Sequence, residues 1–255
     1  MISNSNFISE SIIKVVIAIP SFNEISALPT LIQKLAPLLA SSDAILVLDD
    51  SPLEIHKEIR SSINEDSTNF TCSILFSHYD GKSGRGAAVR RGMVISRKQF
   101  PRLRYFIECD ADGSHQVDDI IKMKDLQMNC DLLIGSRYLK QSKILGWPIT
   151  RRIFSRILNK IIPFLLNIPI TDITNGLRRY TPEAIDKILS REPINKGFIY
   201  LSEQAYLLSQ SRFIIAETPI TFIERVSGNS TVTWKEIVDS LIGIFKLVLL
   251  KSKKN

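Results

Sequence analysis

A mostly parallel α/β sheet, flanked by helices on both faces, is the architecture this sequence predicts. Two short runs carry the prediction, Lys14–Ile19 (KVVIAI) and Ala44–Leu48 (AILVL). Both are aliphatic without a two-residue alternation, the mark of strands buried on both faces. Each ends in a polar or acidic loop, and the first is followed by a stretch of helical spacing, Ala27–Leu39, so strand and helix alternate along the chain. With 255 residues, 44% hydrophobic and 23% charged, the chain has the makings of a globular domain with a sizeable core. It has no internal repeat, low-complexity tract or linker, and reads as one domain over residues 14–233.

Residues 1–13 lack a basic start, a long apolar run and a small-residue cleavage site, so they read as a lead-in to the first strand and not as a signal peptide. The first strand stops at Pro20-Ser21-Phe22-Asn23-Glu24. Asn23 and Glu24 therefore fall at the carboxyl end of a strand, where open α/β sheets bind ligands. Turn and helix-start residues look the same in sequence. The second strand closes on Asp49-Asp50-Ser51-Pro52, whose acids suit either a ligand hydroxyl or a helix N-cap. A third strand, Ser73–Ser77, runs into a glycine-rich loop from His78 to Ala88 that opens a helix. That loop is not a P-loop, because Phe76 stands where the first glycine is required. It is not a dinucleotide fingerprint either, because Val89 stands at the last glycine. A basic loop opening a helix remains, a phosphate cradle of no named class.

The fourth strand carries the most pointed chemistry, Tyr105–His115 (YFIECDADGSH). An apolar run delivers Asp110 and Asp112 to its tip. Two acids one residue apart repel each other unless a cation lies between them. Hard divalent ions take oxygen ligands and leave positions open to phosphate oxygens. A solvated acidic turn is the simpler alternative. Asp131–Ile134 makes a fifth strand.

From Arg137 to Lys160 the chain carries seven basic residues and no acid. Ile153, Phe154, Ile157, Leu158, Ile161, Ile162 and Leu165 recur at helical spacing, with Arg151, Arg152, Ser155, Arg156 and Asn159 opposite. Arg151 and Ser155, four apart, share a face, and Pro163 is expected to kink or end the helix. Residues 172–178 read as a polar loop. Helices at Pro182–Leu189 and Phe198–Leu208 follow, then strands at Phe213–Glu217 and Ile220–Ile223, then a polar loop from Glu224 to Ser230. Trp234–Leu250 forms an amphipathic helix with a basic tail, either lying at a membrane interface or packed on the core. It falls short of a spanning helix.

A net charge of +7 implies an anionic partner: a nucleotide, a nucleic acid or an acidic membrane surface. Acidic strand ends would repel a nucleic-acid backbone. Cys72, Cys109 and Cys130 have neither disulfide nor zinc spacing, which fits a reduced, cytosolic compartment.

Eight segments in order give these features a family likeness: IAIPSFNE (17–24), ILVLDDSP (45–52), GKSGRGAAVRRG (81–92), ECDADGSH (108–115), LLIGSRY (132–138), GWPITRRIFSRILN (146–159), DITNGLRRY (172–180) and IERVSGNS (223–230). The chain resembles GT-A family 2 glycosyltransferases, and among them the polyprenol-phosphate mannosyltransferases. That resemblance implies a GT-A sheet and sugar transfer from a nucleotide sugar, GDP-mannose foremost, to a polyprenyl phosphate at the cytosolic membrane face. A UDP-sugar donor is the alternative within the class, and a non-enzymatic basic binder the alternative outside it. The resemblance places Pro20, Asn23, Glu24 and Asp50 around the nucleotide, Lys82 and Arg85 near its phosphates, and a Mg²⁺ or Mn²⁺ ion on Asp110 and Asp112. Arg137, Arg151 and Ser155 would grip the acceptor phosphate, with Arg225 on a closing loop. Ser114, where the family often has Gln or Ser, is a weaker ligand than a Gln carbonyl, and Thr231 stands where many members place a Lys. The transmembrane pair of some relatives is missing as well, which leaves peripheral attachment or an integral partner as routes to the lipid. The implied chemistry needs no strong base: a phosphate monoester, with a second pKa of about 6, is already largely dianionic near neutrality.

Overall fold

The computed structural model describes residues 12–66, 70–193 and 199–224. The expected Trp234–Leu250 helix, Thr231 and Arg225 lie outside these residues, as does the lead-in up to residue 11.

Seven strands form one sheet in the order β3-β2-β1-β4-β7-β5-β8. They are β1 (Val15–Ser21), β2 (Asp43–Asp49), β3 (Ser73–His78), β4 (Tyr105–Glu108), β5 (Leu132–Ser136), β7 (Arg178–Tyr180) and β8 (Ile215–Pro219). All neighbouring pairs are parallel except those of β7, which runs antiparallel to both β4 and β5. A separate parallel pair joins β6 (Lys143–Leu145) to β9 (Thr221–Ile223).

The unbroken apolar runs are buried on both faces, as their pattern predicts. Val16, Ala18, Leu46, Leu48 and Phe106 face helices α3 (Arg85–Gln99), α5 (Ile149–Leu166), α6 (Pro182–Leu189) and α7 (Tyr200–Gln210). Their neighbours Ile17, Ile19, Ile45, Val47 and Ile107 face α1 (Ala27–Leu35), α2 (Leu53–Asp66) and α4 (Val117–Asp125). Gly92 lets α3 settle on the sheet, since a Cβ there would lie 2.7 Å from a Leu48 methyl carbon. All three cysteines are buried and unpaired, and burial pushes the Cys72 thiol up to about 11.

One reading needs correction, and two others are sharpened by the structure. The polar loop read over residues 172–178 gives way at Arg178 to a central strand, residues 178–180, although two of the three are arginines. Arg178 and Arg179, adjacent on a strand, point to opposite faces, and both are almost fully buried. Each meets backbone carbonyls. Arg178 donates to the carbonyls of Ile173, Asn175 and Leu201, and Arg179 to those of Met123, Leu126 and Met128, where it closes the end of α4. Arg179 also stacks 4.2 Å from the Tyr105 ring centroid.

The orientation of α5, which its pattern left open, is settled by the structure. Its long apolar stripe does not face the core: Ile149, Ile153, Phe154, Ile157, Ile161 and Phe164 are exposed, while Asn159 of the expected polar side is buried. Asn159 tolerates burial because its amide is matched at both ends. Its Nδ2 donates to the Ser155 carbonyl and Thr174 Oγ1, and its Oδ1 accepts from Ile173 N and Thr174 N. Ile162 and Leu166 complete the core face.

Pro163, expected to kink or end the helix, does not end it. α5 continues through it to Leu166 and ends on Asn167 in the left-handed region, φ 57°.

Candidate active site

The candidate residues gather at the carboxyl ends of the parallel strands. Pro20 sits where β1 has outrun β4, whose last paired residue is Glu108 opposite Ala18. The N–H that proline lacks would have pointed to that vacated side. Asn23 adopts φ 61°, a conformation that asparagine tolerates better than most residues, and donates its N–H to Ser51 Oγ at 2.8 Å. Ser51 Oγ in turn donates to buried Asp49, whose other oxygen lies 2.8 Å from His56 Nδ1. The tip of β1 is thereby fixed to β2. Glu24 follows at the half-exposed start of the helical turn.

Asp50 is buried and engaged on both oxygens. Arg91 Nη2 reaches Oδ1 at 2.6 Å, while Ser83 donates its N–H and its hydroxyl to Oδ2. Asp50 thus holds the basic loop against the sheet. Arg91 is a site residue that sequence reasoning missed, and its spacing along α3 gave no hint of the contact. Lys82 is exposed on that loop, with Nζ 5.6 Å from the Phe22 ring centroid.

Asp110 and Asp112 stand just beyond β4, both part-exposed. Asp112 Oδ1 accepts from Ser114 N at 3.0 Å and Ser114 Oγ at 2.6 Å, so Ser114 orients this carboxylate. The Asp110 N–H donates to His115 Nδ1 at 3.0 Å, which leaves the proton of a neutral His115 on Nε2, facing Asn175 Oδ1 at 3.0 Å.

Behind Asp110 lies a buried polar network that the sequence did not reveal. Glu108 is 0% exposed and accepts from Tyr180 Oη at 2.7 Å and Tyr200 Oη at 2.5 Å. Arg85, the first residue of α3, donates to Tyr200 Oη at 2.7 Å and the Gly176 carbonyl at 3.3 Å, and pairs with Asp110 Oδ1 at 2.8 Å. Gly176 leaves space for it: a Cβ there would fall 2.5 Å from the guanidinium. Burial opposes the charge on Arg85, yet Asp110 leads a set of neighbours that raise its pKa above the ordinary value. Burial, with Glu108 adding to it, keeps both phenols well above theirs, so they remain donors. An acid at the end of an apolar strand, Glu108, was the one sequence signal available.

The basic side is built by β5 and α5. Arg137 follows β5 and binds Asp172 in a fork, Nε to Oδ2 at 2.7 Å and Nη2 to Oδ1 at 2.8 Å. Burial works against its charge, and Asp172 more than offsets this, raising its pKa. The Trp147 ring lies between two cations, 5.2 Å from Arg137 and 4.2 Å from Arg151. Arg151 pairs with Glu224 at 2.5 Å, and Ser155 accepts from Tyr138 Oη at 2.6 Å. The acidic and basic sides meet through β9, because the Ile223 N–H binds the Ser114 carbonyl at 3.1 Å and Glu224 is the next residue.

A model of glycosyl transferase family 2 matches residues 16–189, more than half of the sequence. The chain belongs to that family. Among curated proteins it is 28% identical to undecaprenyl-phosphate mannosyltransferase of Micrococcus luteus, over 91% of this chain and 92% of that one. It is also 28% identical to polyprenol monophosphomannose synthase of Mycolicibacterium smegmatis, over 91% and 85% respectively. Among solved structures, glucosyl-3-phosphoglycerate synthase of Mycobacterium tuberculosis in complex with Mn²⁺, UDP and phosphoglyceric acid aligns with a TM-score of 0.61. The identity is 14%, covering 92% of this chain and 78% of that one. The likeness establishes the GT-A fold of this family 2 glycosyltransferase, with its sheet as described.

Proposed function

We propose that this protein transfers mannose from GDP-mannose to a polyprenyl phosphate at the cytosolic membrane face. The observation that carries the reading is the pairing of two oppositely charged flanks across β9, with Asp110 and Asp112 on one and Arg137 and Arg151 on the other. The names of the two curated relatives support a polyprenyl phosphate acceptor and mannose.

Asp110 and Asp112 fit a divalent cation by chemistry, since they offer oxygen donors only, and Ser114 and Arg85 already aim them. A Mg²⁺ or Mn²⁺ ion held there would offset the charge of the leaving diphosphate. The protein's own groups do the rest. Asn23, Glu24 and the loop bearing Lys82 border the nucleotide. Arg151 and Ser155 face the acceptor phosphate, and Arg137, braced by Asp172, adds positive potential behind it. A dianionic phosphate attacks the anomeric carbon without a general base, so positioning and charge compensation carry the rate. A single in-line displacement inverts that carbon.

The test is a donor panel. With a short-chain polyprenyl phosphate, GDP-mannose should give the highest kcat/KM among GDP-mannose, UDP-glucose and UDP-N-acetylglucosamine. A uridine donor in first place would overturn the donor assignment, and the UDP complex of the structural relative makes that the reading to exclude. Arg151→Ala should raise the acceptor KM about 10-fold or more while leaving donor KM unchanged, as loss of one charge-assisted hydrogen bond of ~1.5–3 kcal/mol implies.

The exposed stripe of α5 bears on access to the lipid. Among the described residues no helix is long and apolar enough to cross a membrane. α5 instead presents Ile153, Phe154, Ile157 and Phe164 to the outside, beside exposed Arg152, Arg156 and Lys160. An amphipathic face of this kind lies in an anionic lipid surface. Phe154→Ser with Phe164→Ser should cut flotation with phosphatidylglycerol vesicles several-fold without altering turnover of a detergent-soluble acceptor. Unchanged flotation would place the membrane contact elsewhere.

A further inference from the structure

The two arginines beside Trp147 are paired with acids in very different ways. Asp172 is buried, and besides the Arg137 fork it accepts from the backbone N–H groups of Arg137, Thr174 and Asn175. That pair is built into the fold. The Arg151–Glu224 pair stands at the surface, with side chains 44% and 27% exposed, and it is made by Arg151 Nη1 donating to Glu224 Oε2. Glu224 is nevertheless well placed. Its N–H donates to the Leu145 carbonyl at 2.9 Å, and Gly146 at φ 81° lets it draw near, since a Cβ at 146 would sit 2.8 Å from the Glu224 Cβ.

The surroundings are cationic. Arg151 lies in the first turn of α5, whose first turn holds no acid, so the positive end of the helix dipole adds to the guanidinium. No acid occurs between Arg137 and Lys160 in the sequence. Glu224 therefore brings a negative charge to the position where an incoming anion would meet Arg151.

We propose that Glu224 is a placeholder that sets the affinity threshold of the site: its carboxylate occupies Arg151 until a phosphate displaces it, so anions that bind Arg151 only weakly leave the pair closed. The inference rests on Arg151 as the acceptor grip. A tethered carboxylate competes at high effective concentration. A monoanion gains little by replacing it, because the charge at Arg151 is unchanged. A phosphate dianion brings twice the charge and more acceptor oxygens to the same guanidinium. The exchange needs no proton transfer and breaks no covalent bond.

The experiment measures binding of farnesyl phosphate, and of its monoanionic methyl ester, by calorimetry without donor, in the wild type and in Glu224→Gln and Arg151→Gln. Glu224→Gln keeps the size and an oxygen acceptor but removes the charge. It should tighten farnesyl phosphate about 10-fold, or ~1.4 kcal/mol, and tighten the methyl ester by a similar factor, because the same displacement is removed for both. Arg151→Gln should weaken farnesyl phosphate. If Arg151→Gln has no effect, the acceptor reading of α5 fails and the placeholder with it. If Arg151→Gln weakens binding but Glu224→Gln does not tighten it, the placeholder alone is overturned. A brace with only a structural role would lower Tm in Glu224→Gln and leave both affinities as they were, which also overturns the inference.

Discussion

Asp112→Asn is expected to lower sugar transfer by about 10³-fold or more while leaving the melting temperature within a degree or two. Asparagine keeps an oxygen that can accept from Ser114 N and Ser114 Oγ, so the turn beyond β4 persists. What it loses is the charge that, with Asp110, would hold a cation against the donor diphosphate. Stabilisation of a leaving group by a metal is worth several kcal/mol, and each ~1.4 kcal/mol is a factor of 10 in rate. Two readouts separate loss of chemistry from loss of fold. Mn²⁺ binding, followed by electron paramagnetic resonance with the nucleotide diphosphate present, should weaken strongly, and the thermal unfolding curve should not move. Transfer within 10-fold of the wild type would remove Asp112 from the metal assignment.

Glu108→Ala is expected to produce the largest change in stability. The wild-type carboxylate, fully buried, accepts from two tyrosine hydroxyls and stands 3.6 Å from Arg85. Truncation leaves Tyr180 and Tyr200 without that acceptor and Arg85 with Asp110 as its remaining acidic partner in the network. Breaking a buried charge network costs about 3–5 kcal/mol. For a domain of this size that corresponds to a fall in Tm of about 10 °C. Tyr200→Phe removes one hydroxyl and should cost only ~1–2 kcal/mol. Equal losses for the two variants would mean that the tyrosine, not the acid, organises the network. Because Arg85 joins this network to Asp110, Glu108→Ala should also weaken Mn²⁺ binding.

The parts of this molecule that could be read from the sequence are those decided locally. β1 and β2 announce themselves because a strand buried on both faces has no polar positions. Asp110 and Asp112 were readable because an apolar run must end where it meets solvent, so their place at a strand tip follows. The basic character of α5 was equally plain, but its orientation was not. Which face of an amphipathic helix turns inward depends on what the opposing surface offers. Here a polar loop, residues 171–175, matches the Asn159 amide bond for bond. β7 was unreadable for a related reason. A three-residue segment with two arginines resembles a loop until one knows that carbonyls from Met123, Leu126 and Leu201 surround it. Glu108, Arg91 and Glu224 likewise draw their meaning from partners far along the chain.

The position of β7 also bears on how divisible this protein is. β7 is the piece that joins β4 to β5, pairing with both, yet it is made well after either of them. A fragment ending before Arg178 would hold β1 to β4 in one sheet and β5 in none, with an open edge on each exposed to other chains. The portion of the chain up to β4 is therefore not a module that can be cut out, grafted or expressed by itself. The sheet under the two aspartates is complete only when the chain that carries Arg137 and Arg151 has already been laid down.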